Sequence, residues 1–175
     1  MKRSLGPTEA RCRIYTKKEG LLSAVAHDLE LECQRFRIEL DEAAGQVEAT
    51  FEARSLKVVT ALVDGHASSA LSASDRQKIE QNILKDVLHA DRHPQIHFRA
   101  SQVVGEGDRR TLTGMLELHG QSRSLSLVAE RVGSKWQTRA TLHQPDFGIV
   151  PYSAMFGALK IKPEVVVVLE VSAQA

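Results

Sequence analysis

The chain has 175 residues, enough for one domain over 1–175 whose core needs neither disulfides nor metal, and its 23 Lys and Arg balance 22 Asp and Glu without either sign forming a block. That balance leaves no electrostatic footprint for nucleic acid or for an anionic membrane. No apolar run reaches membrane-spanning length, and the opening MKRSLGPTEARCRIYTKKEG lacks the apolar stretch of a secretory leader, so the expectation is a cytoplasmic protein without stable membrane insertion.

Period-two alternation, the signature of strands with one polar face, runs through most of the chain. RCRIYT and LLSAVAHDLELEC flank KKEG, whose Gly20 suits a tight turn, so residues 10–34 read as a hairpin. Cys12 and Cys33 on its strands are too few for a disulfide framework and read as small core residues. FRIEL continues it, and after DEAAG the row Val47, Ala49, Phe51 and Ala53 alternates with Glu48, Thr50, Glu52 and Arg54 in a further strand. A helix follows, capped by Ser72 with Asp75 or by Ser74 with Gln77. Ile79, Ile83, Leu84, Val87 and Leu88 recur at helical spacing on the side to be buried, with Lys78, Glu80, Gln81, Asn82, Lys85 and Asp86 on the other. Pro94 is the expected stop. QIHFRASQVV, TLTGMLELH, RSLSLVAERV, KWQTRATLH and KIKPEVVVVLEV then alternate with the turns GEGDRR, GQS and GSK and the loop QPDFGIVPYSAMFG. The sum is a mainly β chain of about eight antiparallel strands, a number that closes into a barrel. One amphipathic helix between strands 3 and 4 closes a mouth. A sandwich or an open sheet is the alternative.

The signatures of common enzymes are missing: there is no glycine-rich phosphate loop, nucleophile elbow, paired-cysteine knuckle or zinc-protease motif. His89, His93 and His97 are four apart, but Pro94 interrupts the helix that would align them, and they read as solvated loop histidines with no metal. His66, His119 and His143 lie beside turns and strand ends, where surface roles suffice. Asp146 follows Pro145 and reads as a turn former.

Several stretches, in order, resemble the YceI-like family of bacterial lipocalin-type proteins. SAVAHDLELE resembles its second strand, with a histidine after an alternating apolar run, and DVLHADRHPQIHFRAS its helix end, proline and following strand. LTGMLELHGQSRSLSL resembles its glycine-containing hairpin, and ATLHQPDFGI with KIKPEVVVVLEV its last loop and strand. The resemblance covers roughly residues 10 to 172 and implies an eight-stranded antiparallel lipocalin-like barrel whose apolar interior holds an isoprenoid or similar lipid.

On that frame, parity points inward Val25, His27, Leu29, Leu31, Phe51, Ile96, Phe98, Leu116, Leu118, Leu125, Leu127 and Trp136, apolar except for the imidazole. Association costs about 4–15 kcal/mol and micromolar affinity needs about 8 more. At about 0.8 kcal/mol per buried carbon, some 15–29 carbons suffice, or three to six isoprene units. The histidine has two roles open to it: donating to a quinone carbonyl or other headgroup, or bonding a backbone carbonyl and holding strands in register. The leading expectation is a non-enzymatic carrier of an isoprenoid lipid or isoprenoid quinone that requires no cofactor. Its partner is a hydrophobic small molecule, not nucleic acid, and a homodimer is left open. The alternatives are an enzyme using His27 as base with a carboxylate such as Asp146 nearby, and a barrel filled by its own side chains that serves as an interaction module.

Overall fold

The alternation that dominates the sequence does become strand along most of the chain. The computed structural model describes residues 2–19 and 27–173. In order these form β1 (Lys2–Leu5), β2 (Ala10–Glu19), β3 (Asp28–Cys33), β4 (Phe36–Asp41), β5 (Gln46–Glu52), β6 (Leu56–Val63), β7 (His66–Ser68), α1 (Ala73–Asn82), β8 (Gln95–Val104), β9 (Arg109–Leu118), β10 (Gln121–Val132), β11 (Lys135–His143), β12 (Ser153–Ala154) and β13 (Leu159–Ser172). The strands all belong to one curled antiparallel sheet with the order β1-β4-β5-β8-β9-β10-β11-β13-β2-β3-β6-β7, and β12 adds to β13.

The described residues thus hold thirteen strands rather than eight. Three of the extra strands, β1, β7 and β12, are short additions of four, three and two residues. Two more arise where bends divide long strands: Gln34 and Arg35 separate β3 from β4, and a 3-10 turn at Ala53–Ser55 separates β5 from β6. β3 pairs with β6 and β4 with β5, so both members of one long hairpin bend at the same level. Hydrogen bonds from Gln34 N–H to the Ser55 carbonyl (3.1 Å) and from Glu52 N–H to the Arg35 carbonyl (3.0 Å) carry the ladder across the corner.

Ser55, 5% exposed, holds that corner. Its Oγ accepts from the Arg35 N–H at 2.9 Å and donates to the Glu52 carbonyl at 2.8 Å, with Cys33 Sγ 3.2 Å away. A second adjustment lies at β8 and β9, whose register shifts between Ala100 and Gln102. Gly114 faces that shift, and a Cβ there would stand 2.1 Å from the Arg99 carbonyl oxygen, so only glycine allows the two backbones to approach so closely.

Ser72 caps α1: its Oγ accepts from Asp75 N–H while the Asp75 carboxylate accepts from Ser72 N–H, the first of the two capping boxes foreseen. The helix continues through a π-helical turn, Ile83–Val87, and stops at His89, not at Pro94. His89 adopts a left-handed backbone (φ 45°), and Ala90 N–H reaches back to the Leu84 carbonyl at 2.8 Å, so the chain has already left the helix before the proline. Ile79 and Ile83 pack on Leu29, Leu31 and Val58 of β3 and β6. Glu80, expected on the solvent side, turns to the sheet instead. Its carboxylate accepts from Val58 N–H at 2.9 Å, beside the β3/β6 register shift, and pairs with Lys57 Nζ at 2.9 Å. Arg76 donates to the Val59 carbonyl and Asn82 to the Tyr152 hydroxyl, which fastens the helix to the rim on two sides.

Ser55→Ala leaves the Arg35 N–H without its acceptor at a bend both long strands share, and is expected to destabilise the fold by about 1–3 kcal/mol. Urea unfolding measures it; a midpoint equal to that of the unsubstituted chain would remove Ser55 from this role.

Candidate functional site

Curling the sheet turns one face of every long strand toward a common interior, and the side chains there do not fill it. A cavity of about 670 Å³ remains, within the range of small-molecule sites. Leu125, Leu127, Val165 and Val167 point into it and are only half-buried although they face inward, because open space lies in front of them. No large side chain among the described residues is completely buried. The filled-barrel alternative is overturned by this open volume.

Of the twelve inward candidates, ten line the cavity: His27, Leu29, Leu31, Phe51, Ile96, Phe98, Leu116, Leu118, Leu125 and Leu127. Val25 lies outside the described residues. Trp136 has the parity of its lining neighbours Thr138, Ala140 and Leu142 but does not line the cavity. It stands beyond the last of them near the start of β11, with the Arg110 guanidinium 5.6 Å from its ring centroid, so the tryptophan belongs to the strand end and not to the wall.

Sequence parity missed much of the wall. Ile14 and Thr16 on β2, and Val165, Val167 and Leu169 on β13, complete it. The alternation of β2 could have supplied its share, whereas the run Val165–Val168 has no period from which to choose a face. Cys12 and Cys33 are cross-strand partners, and both thiols are free and lie in the wall. Burial pushes the Cys12 thiol up to about 12 and raises that of Cys33.

Polar groups gather toward α1, where His27, Asp75, Lys78, Asn82 and Tyr152 join the lining. The imidazole has no hydrogen-bond partner among the described residues. Ala70 and Lys78 are the lining residues that are themselves exposed, so the cavity opens beside α1. Gln144, buried and donating to the Lys162 carbonyl at 3.1 Å, is a polar wall residue that sequence parity left unassigned. Asp146 does not join His27 in the lining: it stands exposed in the 3-10 turn Gln144–Phe147, with its carboxylate 3.1 Å from His143 Nδ1. The pairing of His27 with Asp146 considered for an enzyme is therefore not assembled, and the carboxylates that share the cavity with His27 are those of Glu52 and Asp75.

The histidine run also divides. His97 stands apart on β8, its Nδ1 3.1 Å from Thr50 Oγ1 across the sheet. His89 and His93 meet His119 instead, with ring centroids 5.2 and 4.6 Å from that of His119. His119 and Gly120 are both left-handed (φ 54° and 73°) and make the two-residue turn between β9 and β10. A side chain at Gly120 would meet the His93 ring at 2.9 Å, so the glycine leaves room for it. Among the described residues no group of three His, Cys, Asp or Glu is arranged to hold a metal ion. The cluster instead joins three loops. The Phe147 carbonyl, 3.2 Å from His119 Nδ1, can only accept, so Nδ1 carries the proton and the neutral ring's Nε2 accepts from His89 Nδ1 at 2.9 Å. Burial holds the His119 imidazole below its usual range, helped by the charges of His93, His89 and Arg92 against the Phe147 hydrogen bond.

The fold and the hollow together define a class, the curled antiparallel sheet around an apolar small-molecule cavity. A family model described as the YceI-like domain matches residues 15–173, and the chain belongs to that family. No curated protein matches the chain. Among solved structures, Burkholderia cenocepacia BcnA is 15% identical with a TM-score of 0.62 over 93% of this chain and 94% of its own. A polyisoprenoid binding domain from Saccharophagus degradans, implicated in plant cell wall breakdown, is 10% identical with a TM-score of 0.60 over 98% of each chain. The Campylobacter jejuni YCEI protein is 16% identical with a TM-score of 0.54 over 78% of this chain and 77% of its own. At these identities the likeness shows a shared fold. No helix among the described residues is long and apolar enough to cross a membrane.

Two measurements follow. The folded state of a histidine with a lowered pKa binds fewer protons than the unfolded chain, so its stability contribution is complete above the unfolded pKa near 6.5 and falls as pH drops from there through the lowered value. His119→Asn, which tolerates the left-handed backbone, is expected to flatten the decline in melting temperature between about pH 7 and 5; parallel curves for the two proteins would exclude His119 as its source. The buried thiols are expected to react with a disulfide reagent roughly a hundredfold more slowly in the native protein than in guanidinium, and equal rates would show that the wall is open to solvent at Cys12 and Cys33.

Proposed function

We propose that the chain binds an isoprenoid-type lipid, a polyprenyl chain or an isoprenoid quinone, inside the cavity and carries or sequesters it without chemical change. The observation that carries this reading is the 670 Å³ cavity behind a wall built from leucine, isoleucine, valine and phenylalanine. At roughly 30 Å³ for each group the size of a water molecule, that space takes on the order of 20 carbons. This lies inside the 15–29 that micromolar binding requires. The Saccharophagus degradans neighbour, described as a polyisoprenoid binding domain, supports the same ligand class.

A lipocalin-like barrel is the matching reading of the curled sheet. Counting β3 with β4 and β5 with β6 as single bent strands, and setting aside β1, β7 and β12, leaves eight long segments, and the hydrogen bonds across the Ser55 corner support their closure. The prenyl chain lies along Phe98, Leu116, Leu118, Leu125 and Leu127, with its polar end toward α1. There His27 donates to a headgroup oxygen, and Asn82 and Tyr152 frame the opening.

Mass spectrometry of an organic extract of protein purified without detergent tests the reading. A prenylated lipid is expected from the unsubstituted protein and not from Leu118→Trp, whose indole fills the cavity beside Phe98 and Leu116 at a packing cost of about 1–3 kcal/mol. An empty extract from folded protein, or the same lipid from both, would overturn the assignment of the cavity or of its inward face.

A further inference from the structure

We propose that the hairpin joining β12 to β13 docks the open end of the cavity on a lipid bilayer. Single apolar side chains on a surface are ordinary, but here three lie within seven residues: Val150 is 78% exposed, Met155 61% and Phe156 fully exposed. Phe156 sits at the tip of a hairpin in which Ser153 faces Lys160 and Ala154 faces Leu159. Met155, Phe156 and Gly157 are left-handed in succession (φ 52°, 57° and 85°), an unfavourable backbone for the first two that holds the aromatic ring away from the protein.

The position of this tip matters as much as its exposure. The chain entering the hairpin contributes Tyr152 to the cavity wall, and the chain leaving it contributes Leu159 and Ile161. Tyr152 is tied to Asn82 of α1, and the exposed lining residues Ala70 and Lys78 mark the opening beside the same helix. The apolar tip and the opening are therefore at one end of the molecule.

Charge fits the same partner. A methyl group on Gly157 would stand 3.1 Å from Lys160 Cε, so the lysine side chain passes directly beneath the tip. In the neighbouring strand Lys18 faces Ile161 and Glu19 faces Lys160. Residues 16–19 and 159–164 carry Lys17, Lys18, Lys160 and Lys162 against Glu19 and Glu164, four minus two, or a local charge of +2. None of the four lysines forms an ion pair among the described residues. An exposed phenylalanine above unpaired lysines suits the boundary between headgroups and acyl chains of an anionic bilayer. A stable protein interface would need about 1,000 Å² of complementary surface, which a single projecting tip does not offer. The chain's overall neutrality does not oppose this, since the docking is local and reversible. The purpose of docking, direct exchange of a prenyl chain between cavity and bilayer, rests on the lipid-carrier reading; the docking itself does not.

The test is flotation of the full chain with vesicles of phosphatidylcholine containing about 30 mol% phosphatidylglycerol. The unsubstituted protein is expected to float with the vesicles, Phe156→Asp to lose about tenfold or more in partitioning, and Phe156→Leu to retain most of it. Lys160→Glu with Lys162→Glu is expected to weaken flotation on these vesicles more than on pure phosphatidylcholine. Leu118→Trp, which blocks the cavity, is expected to float like the unsubstituted protein. Flotation of the unsubstituted protein together with an extract of it that holds no lipid would sink the carrier reading and leave docking standing. Equal partitioning of Phe156→Asp, no flotation of the unsubstituted protein, or a dimer in sedimentation equilibrium that Phe156→Asp dissolves would each overturn the proposal, the last by making a second copy the occupant. Circular dichroism confirms folding, which a fully exposed position does not perturb.

Discussion

The bend at Ser55 is the constraint on which the rest of the molecule depends. One buried hydroxyl satisfies the Arg35 N–H and the Glu52 carbonyl where two paired strands leave regular geometry together, so the sheet turns a corner without stranding polar backbone. With that corner in place, β3 and β6 reach α1 on one side of it while on the other β4 pairs with β5 and β5 with β8. The curl so produced sets the interior faces of the strands far enough apart that leucine and valine cannot meet across the space.

An open interior changes what burial means. Side chains such as Val167 and Leu127 belong to the apolar face yet remain in part accessible, and the tightly packed residues concentrate where β4, β5, β8 and β9 come together around Ile38, Ala49, Phe98 and Leu116. Stability and capacity are thus divided along the sheet. The helix shares in both: Ile79 and Ile83 complete the small cluster on Leu29, Leu31 and Val58, and the same face supplies the lid of the cavity. Its attachment is polar, through Glu80, Arg76 and Asn82, which keeps the apolar side free to line the space.

Much of this was legible because a strand has a period of two and a helix a period near 3.6. His27, Leu29 and Leu31, or Leu116 and Leu118, occupy one face whatever the neighbouring strands do, and local alternation shows it. The capping box at Ser72 is equally local. Where local pattern and long-range geometry part, the reading failed. Trp136 keeps the right parity but stands past the end of the cavity, a matter of how far along the strand the hollow extends. The valine run of β13 carries no alternation, and the strand count rose because bends and short edge additions leave no mark in hydrophobic periodicity.

The amino-acid sequence alone determined the antiparallel class, the single capped helix, the apolar face of most strands and the family resemblance, since each is written in spacing over a few neighbouring residues. Tertiary structure decided that the interior is hollow, because volume depends on how far the sheet curls and not on which side chains line it. It also brought His119 of the β9–β10 turn against His89 and His93 of the turn after the helix, and set an exposed phenylalanine at the same end as the opening. Such juxtapositions join residues far apart in the chain, and no local period encodes the distance between them.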